Sequence, residues 1–299
     1  MDNKVAAWLS AFRLRTLPLA FSSIIVGSFI NYRTQFNWLV FGLALFTALL
    51  LQVLSNLAND YGDSKKGTDN DSRIGPQRAI QSGKLSFKEM KIAIIINVIL
   101  CLIAGISLVI IGIGTDFKSI LLISVGLLAI VAAIKYTVGK FAFGYNGLGD
   151  LFVMIFFGFV GVLGAAFLQI KSLNLFDFII AFSIGCFATG VLNLNNMRDY
   201  LSDKASNKNT LVVKIGPKWA VRYHIVMIIV GMVAAFYFIF ETALYLHEYL
   251  PVLVFPFMFI QLKQIETISN PKDYDPFLKK LALSAFAFSI FFAISKIIA

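Results

Sequence analysis

Two short acidic segments are the places where this chain carries residue types suited to chemistry. The first reads Asn56-Leu57-Ala58-Asn59-Asp60-Tyr61-Gly62-Asp63 and runs on through Lys65, Lys66 and Gly67 to Asp69; the second reads Asn195-Asn196-Met197-Arg198-Asp199 and runs on to Asp203 and Lys204. At 100° per residue, Asn56, Asn59, Asp60 and Asp63 fall within about a 100° arc of one helix face, and Asn196, Asp199 and Asp203 within about 60°. Side chains so spaced converge. An acidic loop beyond a membrane helix is ordinarily a solvated loop and nothing more. Three features weigh against that here: the carboxylates keep helical spacing, amide Asn precedes them by one turn, and the arrangement occurs twice. Facing acidic clusters repel unless cations lie between them. Oxygen donors without His or Cys select a hard ion such as Mg2+, which keeps waters and completes its shell with phosphate oxygens. Lys65, Lys66, Arg73 and Arg78, with Arg198, Lys204 and Lys208, supply countercharge suited to a diphosphate. Lys135, beside Tyr136 at a helix end, adds another.

The elements that position these segments follow from hydropathy. Of the 299 residues, 59% are hydrophobic and 14% charged, against about a quarter charged in a soluble domain. Apolar runs of about 20 residues, enough to cross roughly 30 Å of hydrocarbon, lie near 16–34, 38–58, 90–112, 118–138, 150–170, 174–196, 219–240, 244–262 and 277–298. The sequence therefore predicts an all-α polytopic membrane protein, a bundle of nine transmembrane helices forming one integral-membrane domain over 1–299. The eighth run is short and holds Pro251 and Pro256. With the N-terminus in the cytoplasm, 22 of the 26 Lys and Arg lie on the inner side, the bias expected of membrane topology. Much of the net charge of +10 is thus a topology signal rather than a nucleic-acid surface. Both acidic segments fall on that cytoplasmic side, and a weak repeat of four helices plus an acidic loop relates them. Cys101 and Cys186 read as buried small hydrophobes. Two His, His224 and His247, cannot build a zinc site.

A divalent-cation site at the edge of a Phe-, Leu- and Ile-rich bundle suits an amphiphile with a diphosphate head and a hydrocarbon tail, and polyprenyl diphosphate meets that description. The pattern Asn56-x-x-Asn59-Asp60-x-x-Asp63-x-x-x-Gly67-x-Asp69, paired with Asn196-x-x-Asp199-x-x-x-Asp203, resembles the two Asp-rich motifs of the UbiA superfamily of intramembrane aromatic prenyltransferases. Within it the chain is most similar to the branch that prenylates 1,4-dihydroxy-2-naphthoate in menaquinone synthesis. That similarity rests on Gly75-Pro76-Gln77-Arg78-Ala79-Ile80-Gln81-Ser82-Gly83, on Lys135-Tyr136-Thr137 leading through Phe143-Gly144-Tyr145-Asn146-Gly147-Leu148-Gly149-Asp150, and on Lys208-Asn209-Thr210-Leu211 after the second motif.

The resemblance spans essentially the whole chain and implies a set of roles. Asn56, Asp60, Asp63, Asp69, Asn196, Asp199 and Asp203 would hold Mg2+. Asp60, Asp63, Asp199, Asp203 and Tyr136 would be catalytic. Asn59, Lys65, Arg73, Arg78, Lys135, Lys140, Asp150, Asn195 and Arg198 would contact substrates. Diphosphate departure leaves an allylic cation, which the naphthoate ring attacks with loss of CO2, giving a demethylmenaquinol. Tyr136 would face the cation with its ring, though a packing tyrosine reads the same way. The pattern departs at Val138-Gly139-Lys140, where Gly-Pro is usual after the Tyr-Thr pair, and at Gly62, where an aromatic is frequent.

Other readings are an acceptor such as 4-hydroxybenzoate, homogentisate or haem, and a cation-coupled transporter, which would place its acids nearer the bilayer midplane. A CDP-alcohol phosphatidyltransferase lacks its Asp-Gly-x-x-Ala-Arg core here. Gly112-Ile113-Gly114 lacks the third glycine of a nucleotide loop.

Overall fold

The computed structural model describes residues 2–69 and 74–298. Its helices are α1 (Asp2–Phe12), α2 (Leu17–Phe29), α3 (Trp38–Lys65), α4 (Phe87–Ile113), α5 (Phe117–Lys135), α6 (Gly149–Val153), α7 (Gly164–Ile170), α8 (Leu175–Arg198), α9 (Tyr200–Ala205), α10 (Leu211–Ile215), α11 (Pro217–Thr242), α12 (Phe255–Glu266) and α13 (Asp275–Ile297). A π-helical stretch, Met154–Leu163, joins α6 to α7. Among the described residues there is no strand.

Local signals start these helices where the apolar runs begin. Asn37 caps α3, its side chain accepting from the N–H groups of Leu39 and Val40. Ser86 and Glu89 form a reciprocal box at α4, and Asp116 caps α5. Each cap satisfies backbone donors that the bilayer leaves without water.

Eight helical segments among the described residues are long and apolar enough to cross a membrane. The eighth expected run, 244–262, takes a different form: a 3-10 stretch, Leu246–Val254, feeds into α12. Pro251 lies inside the first part and Pro256 in the first turn of the second, so the lost N–H groups and ring clashes prevent one continuous α-helix. Near this break, the buried Glu248 carboxylate accepts from Arg33 at 3.1 Å and Lys296 at 2.5 Å, at the end of the bundle opposite the acidic motifs.

The central element is α8. Ile180, Ala181, Ile184, Phe187 and Leu194 are each 1% exposed or less, and α8 packs against α11, the π stretch and α13. By contrast Ile103 of α4, Leu128 of α5 and Val233 of α11 are 60–62% exposed, an apolar rim that suits lipid. Lipid tails are as apolar as leucine, so the hydrophobic effect does not press these helices together and close contact must. Glycine supplies it: a Cβ on Gly27 would lie 2.1 Å from the Val162 carbonyl, and one on Gly158 would lie 2.9 Å from Gly185 Cα.

Candidate active site

The acidic residues of the first motif are helical, because α3 continues past the expected end at 58 to Lys65. Gly67 then turns the chain with φ 73°, a left-handed conformation that glycine takes without cost. The turn returns Thr68 to the helix, its N–H donating to the Asp63 carbonyl at 3.0 Å. Its hydroxyl lies 2.6 Å from Tyr145 Oη, which donates to Asp63 Oδ1 at 2.7 Å. Tyrosine has one hydroxyl proton, so Thr68 donates in turn to Tyr145.

Lys208 joins the two motifs. Its Nζ is 3.6 Å from Asp63 Oδ2 and 3.6 Å from Asp203 Oδ1. Burial disfavours the ammonium, but Asp63 and Asp203 outweigh that and raise its pKa above the ordinary lysine value. It stays charged through the neutral range. Lys66, 3.7 Å from the Tyr145 ring centroid, moves the other way, lowered by burial and by Lys208 against the pull of Asp63. The facing carboxylates therefore find their compensation within the chain, where the sequence pattern alone had suggested divalent cations.

The second motif is similarly tied. Arg198, 2% exposed, donates through Nε and a terminal nitrogen to both oxygens of Asp199 at 2.8 and 2.7 Å, to Asp275 at 2.6 Å and to Asn195 at 2.9 Å. Its fork is committed to protein. Asn196 is buried beside it in the sequence.

The remaining expected residues separate into two groups. Asp60 is fully buried; its Oδ2 accepts from the Ala79 N–H at 3.1 Å, its Oδ1 has no hydrogen-bond partner, and the Arg13 charge is in electrostatic reach. Asn59 accepts from Thr137 at 3.2 Å, and Asp69 lies 3.7 Å from Arg78. Half-buried Tyr136 meets Phe143 edge-on, and its phenol is held above its usual pKa by burial, with the carboxylates of Asp150, Asp63 and Asp203 adding to the effect. The Asp150 carboxylate also interacts with the Tyr223 hydroxyl. Tyr136, Asp150, Asp63, Asp203 and Lys208 share one electrostatic neighbourhood, to which Asp60 couples through Asp63. Asn56, one turn before Asp60 on α3, donates its amide to the Phe12 carbonyl at 2.9 Å and to Thr16 at 3.1 Å. Lys65 lies over Tyr61, while Lys135 and Lys140 are exposed. Arg73 lies outside the described residues.

Among the described residues no three His, Cys, Asp or Glu side chains converge as they stand to hold a metal ion. The donor chemistry nevertheless fits a hard cation: the acids are all oxygen donors, Asp60 Oδ1 is buried without a partner, and a protonated amine lies between Asp63 and Asp203. Thr68, Arg13 and Tyr223 were not singled out by sequence pattern, and Tyr145 stood only within the 143–150 stretch with no role of its own. Tyr145 meets a carboxylate 82 residues away, and no local periodicity marks such a pairing.

The departure at Gly62 lies against Thr137, the residue preceding the second departure at 138–140. A Cβ on Gly62 would lie 2.6 Å from Thr137 Oγ1 and 2.9 Å from its carbonyl carbon, and Thr137 is anchored by donating to the Ala58 carbonyl at 3.0 Å. A larger side chain at 62 would therefore displace Thr137. Gly62→Ala is expected to cost about 1–3 kcal/mol of stability through overpacking, read as a lower melting temperature in detergent; an unchanged melting temperature would show that Thr137 yields freely.

An all-helical membrane bundle with two Asn/Asp motifs apposed at one end defines a class of intramembrane enzyme. The UbiA prenyltransferase family model matches residues 20–292, and the chain belongs to that family. It is a prenyltransferase. It is 41% identical over 295 residues to the 1,4-dihydroxy-2-naphthoate octaprenyltransferase of Escherichia coli (strain K12), covering 98% of this chain and 95% of that one. To the enzyme of the same name from Haemophilus influenzae it is 39% identical over 303 residues, covering 100% and 98%. A solved UbiA homologue from Archaeoglobus fulgidus, bound to DMAPP and Mg2+, is similar with a TM-score of 0.68 at 13% identity, covering 96% of this chain and 99% of that one. That likeness concerns the fold.

Proposed function

We propose that this chain, as one domain over 1–299, transfers a polyprenyl group from polyprenyl diphosphate to 1,4-dihydroxy-2-naphthoate, releasing diphosphate and CO2 and forming a demethylmenaquinol. The observation that carries this reading is the meeting of the two Asp motifs on Lys208 at one end of an apolar bundle. The near-full-length similarity to enzymes named for the naphthoate reaction supports the acceptor. The 22-to-4 division of basic residues supports a cytoplasmic N-terminus and active site.

Asp60, Asp63, Asp69, Asp199 and Asp203, with Asn196 and Asn56, are the residues that would hold Mg2+. When bound, the ion neutralises the diphosphate and so weakens the allylic C–O bond. Lys208, Lys66 and Arg78, with Arg73, Lys65, Lys135 and Lys140, provide the cationic surroundings that hold the diphosphate head as the bond breaks. The apolar bundle takes the tail and excludes water from the allylic carbon. Tyr136, kept protonated, presents its ring face to the developing positive charge, and Asp150 with Asn59 and Asn195 orients the acceptor. The ring carbon bearing the carboxylate supplies the electron pair of the new C–C bond. Departure of CO2 returns an electron pair to the ring and restores aromaticity.

The test offers purified protein in detergent a polyprenyl diphosphate and Mg2+, with dihydroxynaphthoate and 4-hydroxybenzoate in parallel. Prenylated naphthoate with stoichiometric CO2, lost on chelation of Mg2+, is expected. Exclusive use of hydroxybenzoate would overturn the acceptor assignment. Asp-dependent solute flux in liposomes, without prenyl transfer, would overturn the enzyme reading.

A further inference from the structure

We infer that Lys208 is a resident cation of this site: its ammonium holds Asp63 and Asp203 together before a divalent ion binds, and it gives way to metal that arrives with diphosphate. The inference rests on the metal–diphosphate reading above and deepens it.

Asp63 and Asp203 are each 3% exposed and come from different elements, α3 and α9. Two buried carboxylates within reach of one ammonium repel each other strongly without it. Lys66, also within electrostatic reach of Asp63, lies over the Tyr145 ring. Lys208 holds the acids by charge rather than by short hydrogen bonds, since both distances are 3.6 Å and a hydrogen bond from nitrogen runs at about 2.7–3.2 Å.

The backbone beneath Lys208 is fixed. Asn207 turns the chain at φ 55°, and the Lys208 N–H donates to the Asp203 carbonyl at 2.8 Å. Movement is therefore left to the flexible side chain. The Tyr145 ring, 5.4 Å from Nζ, offers a neighbouring resting place, and Tyr145 keeps Asp63 oriented from its other oxygen.

A divalent ion entering alone must expel the ammonium into a site made more positive by the ion itself. When diphosphate enters too, the displaced ammonium gains phosphate oxygens in exchange for the carboxylates. Metal and diphosphate thus bind with positive coupling, and Lys208 transmits it. Its role is to position and order binding, apart from bond making.

The test measures protein-bound Mn2+, as a substitute for Mg2+, by electron paramagnetic resonance with and without inorganic diphosphate, against a diphosphate-only control. Diphosphate is expected to tighten Mn2+ binding to the wild type by about tenfold or more. Lys208→Met is expected to bind Mn2+ alone about tenfold more tightly than the wild type and to lose most of the diphosphate effect. Lys208→Gln repeats the measurement if the Met variant does not accumulate, and Lys208→Arg should restore wild-type coupling. Equal Mn2+ affinity in wild type and Lys208→Met, with diphosphate tightening both alike, would overturn the role of Lys208 and leave the metal–diphosphate reading standing. No Mn2+ bound by the wild type even with diphosphate would overturn both.

Discussion

Asp60→Asn is expected to lower turnover by about 10^3-fold or more while the protein still folds in the membrane. The carboxylate is fully buried, and one oxygen is fixed by the Ala79 N–H at 3.1 Å. An Asn side chain has nearly the same shape and keeps a carbonyl oxygen for that bond. What it removes is the negative charge at the partnerless oxygen, the atom best suited to a cation. The measurement is turnover per folded protein across a Mg2+ titration. Loss that high Mg2+ partly recovers would place the defect in ion binding; wild-type turnover would remove Asp60 from the proposed metal set.

Arg198→Met is expected to destabilise the folded protein by about 3–5 kcal/mol, the usual effect of removing one partner from a buried ion pair. Asp199 accounts for most of it. Its side chain is 8% exposed and loses a two-bond partner, whereas Asp275, 46% exposed, can return to water. The check is a melting curve in detergent for Arg198→Met, Asp275→Asn and the double variant Arg198→Met/Asp199→Asn. The double variant should recover a substantial part of the loss, because neutralising Asp199 removes the buried carboxylate that has lost its guanidinium. A wild-type melting curve for Arg198→Met would mean that Asp199 finds compensation elsewhere.

The helical spacing of Asp60 and Asp63 was legible because an α-helix repeats its faces whatever lies around it. The extension of α3 to Lys65 was not, since hydropathy falls at Asn59 while the helix continues. Lys208 was legible as countercharge for a diphosphate, but its bridging of Asp63 to Asp203 and the part played by Tyr145 were not, for a different reason. Each acts through partners brought together by packing, Asp63 being 82 residues from Tyr145. Arg198 was placed among substrate contacts by likeness, and the structure finds its donors occupied by Asp199, Asp275 and Asn195. Pro251 was visible in the eighth run, and its effect on helix continuity was a matter of backbone chemistry.

The π-helical stretch Met154–Leu163 has a bearing on the angular phase of its membrane segment. Each wider turn advances fewer degrees per residue than an α-turn, so counting at 100° loses phase somewhere between Asp150 and Gln169. Asp150 faces Tyr223 near the motif end, and Gln169 accepts from the Asn37 N–H at 2.8 Å near the other. No single helical wheel assigns both directions. The stretch acts as a vernier between the two halves of the segment, letting the catalytic end and the opposite end each meet its own neighbours without sharing a common azimuth.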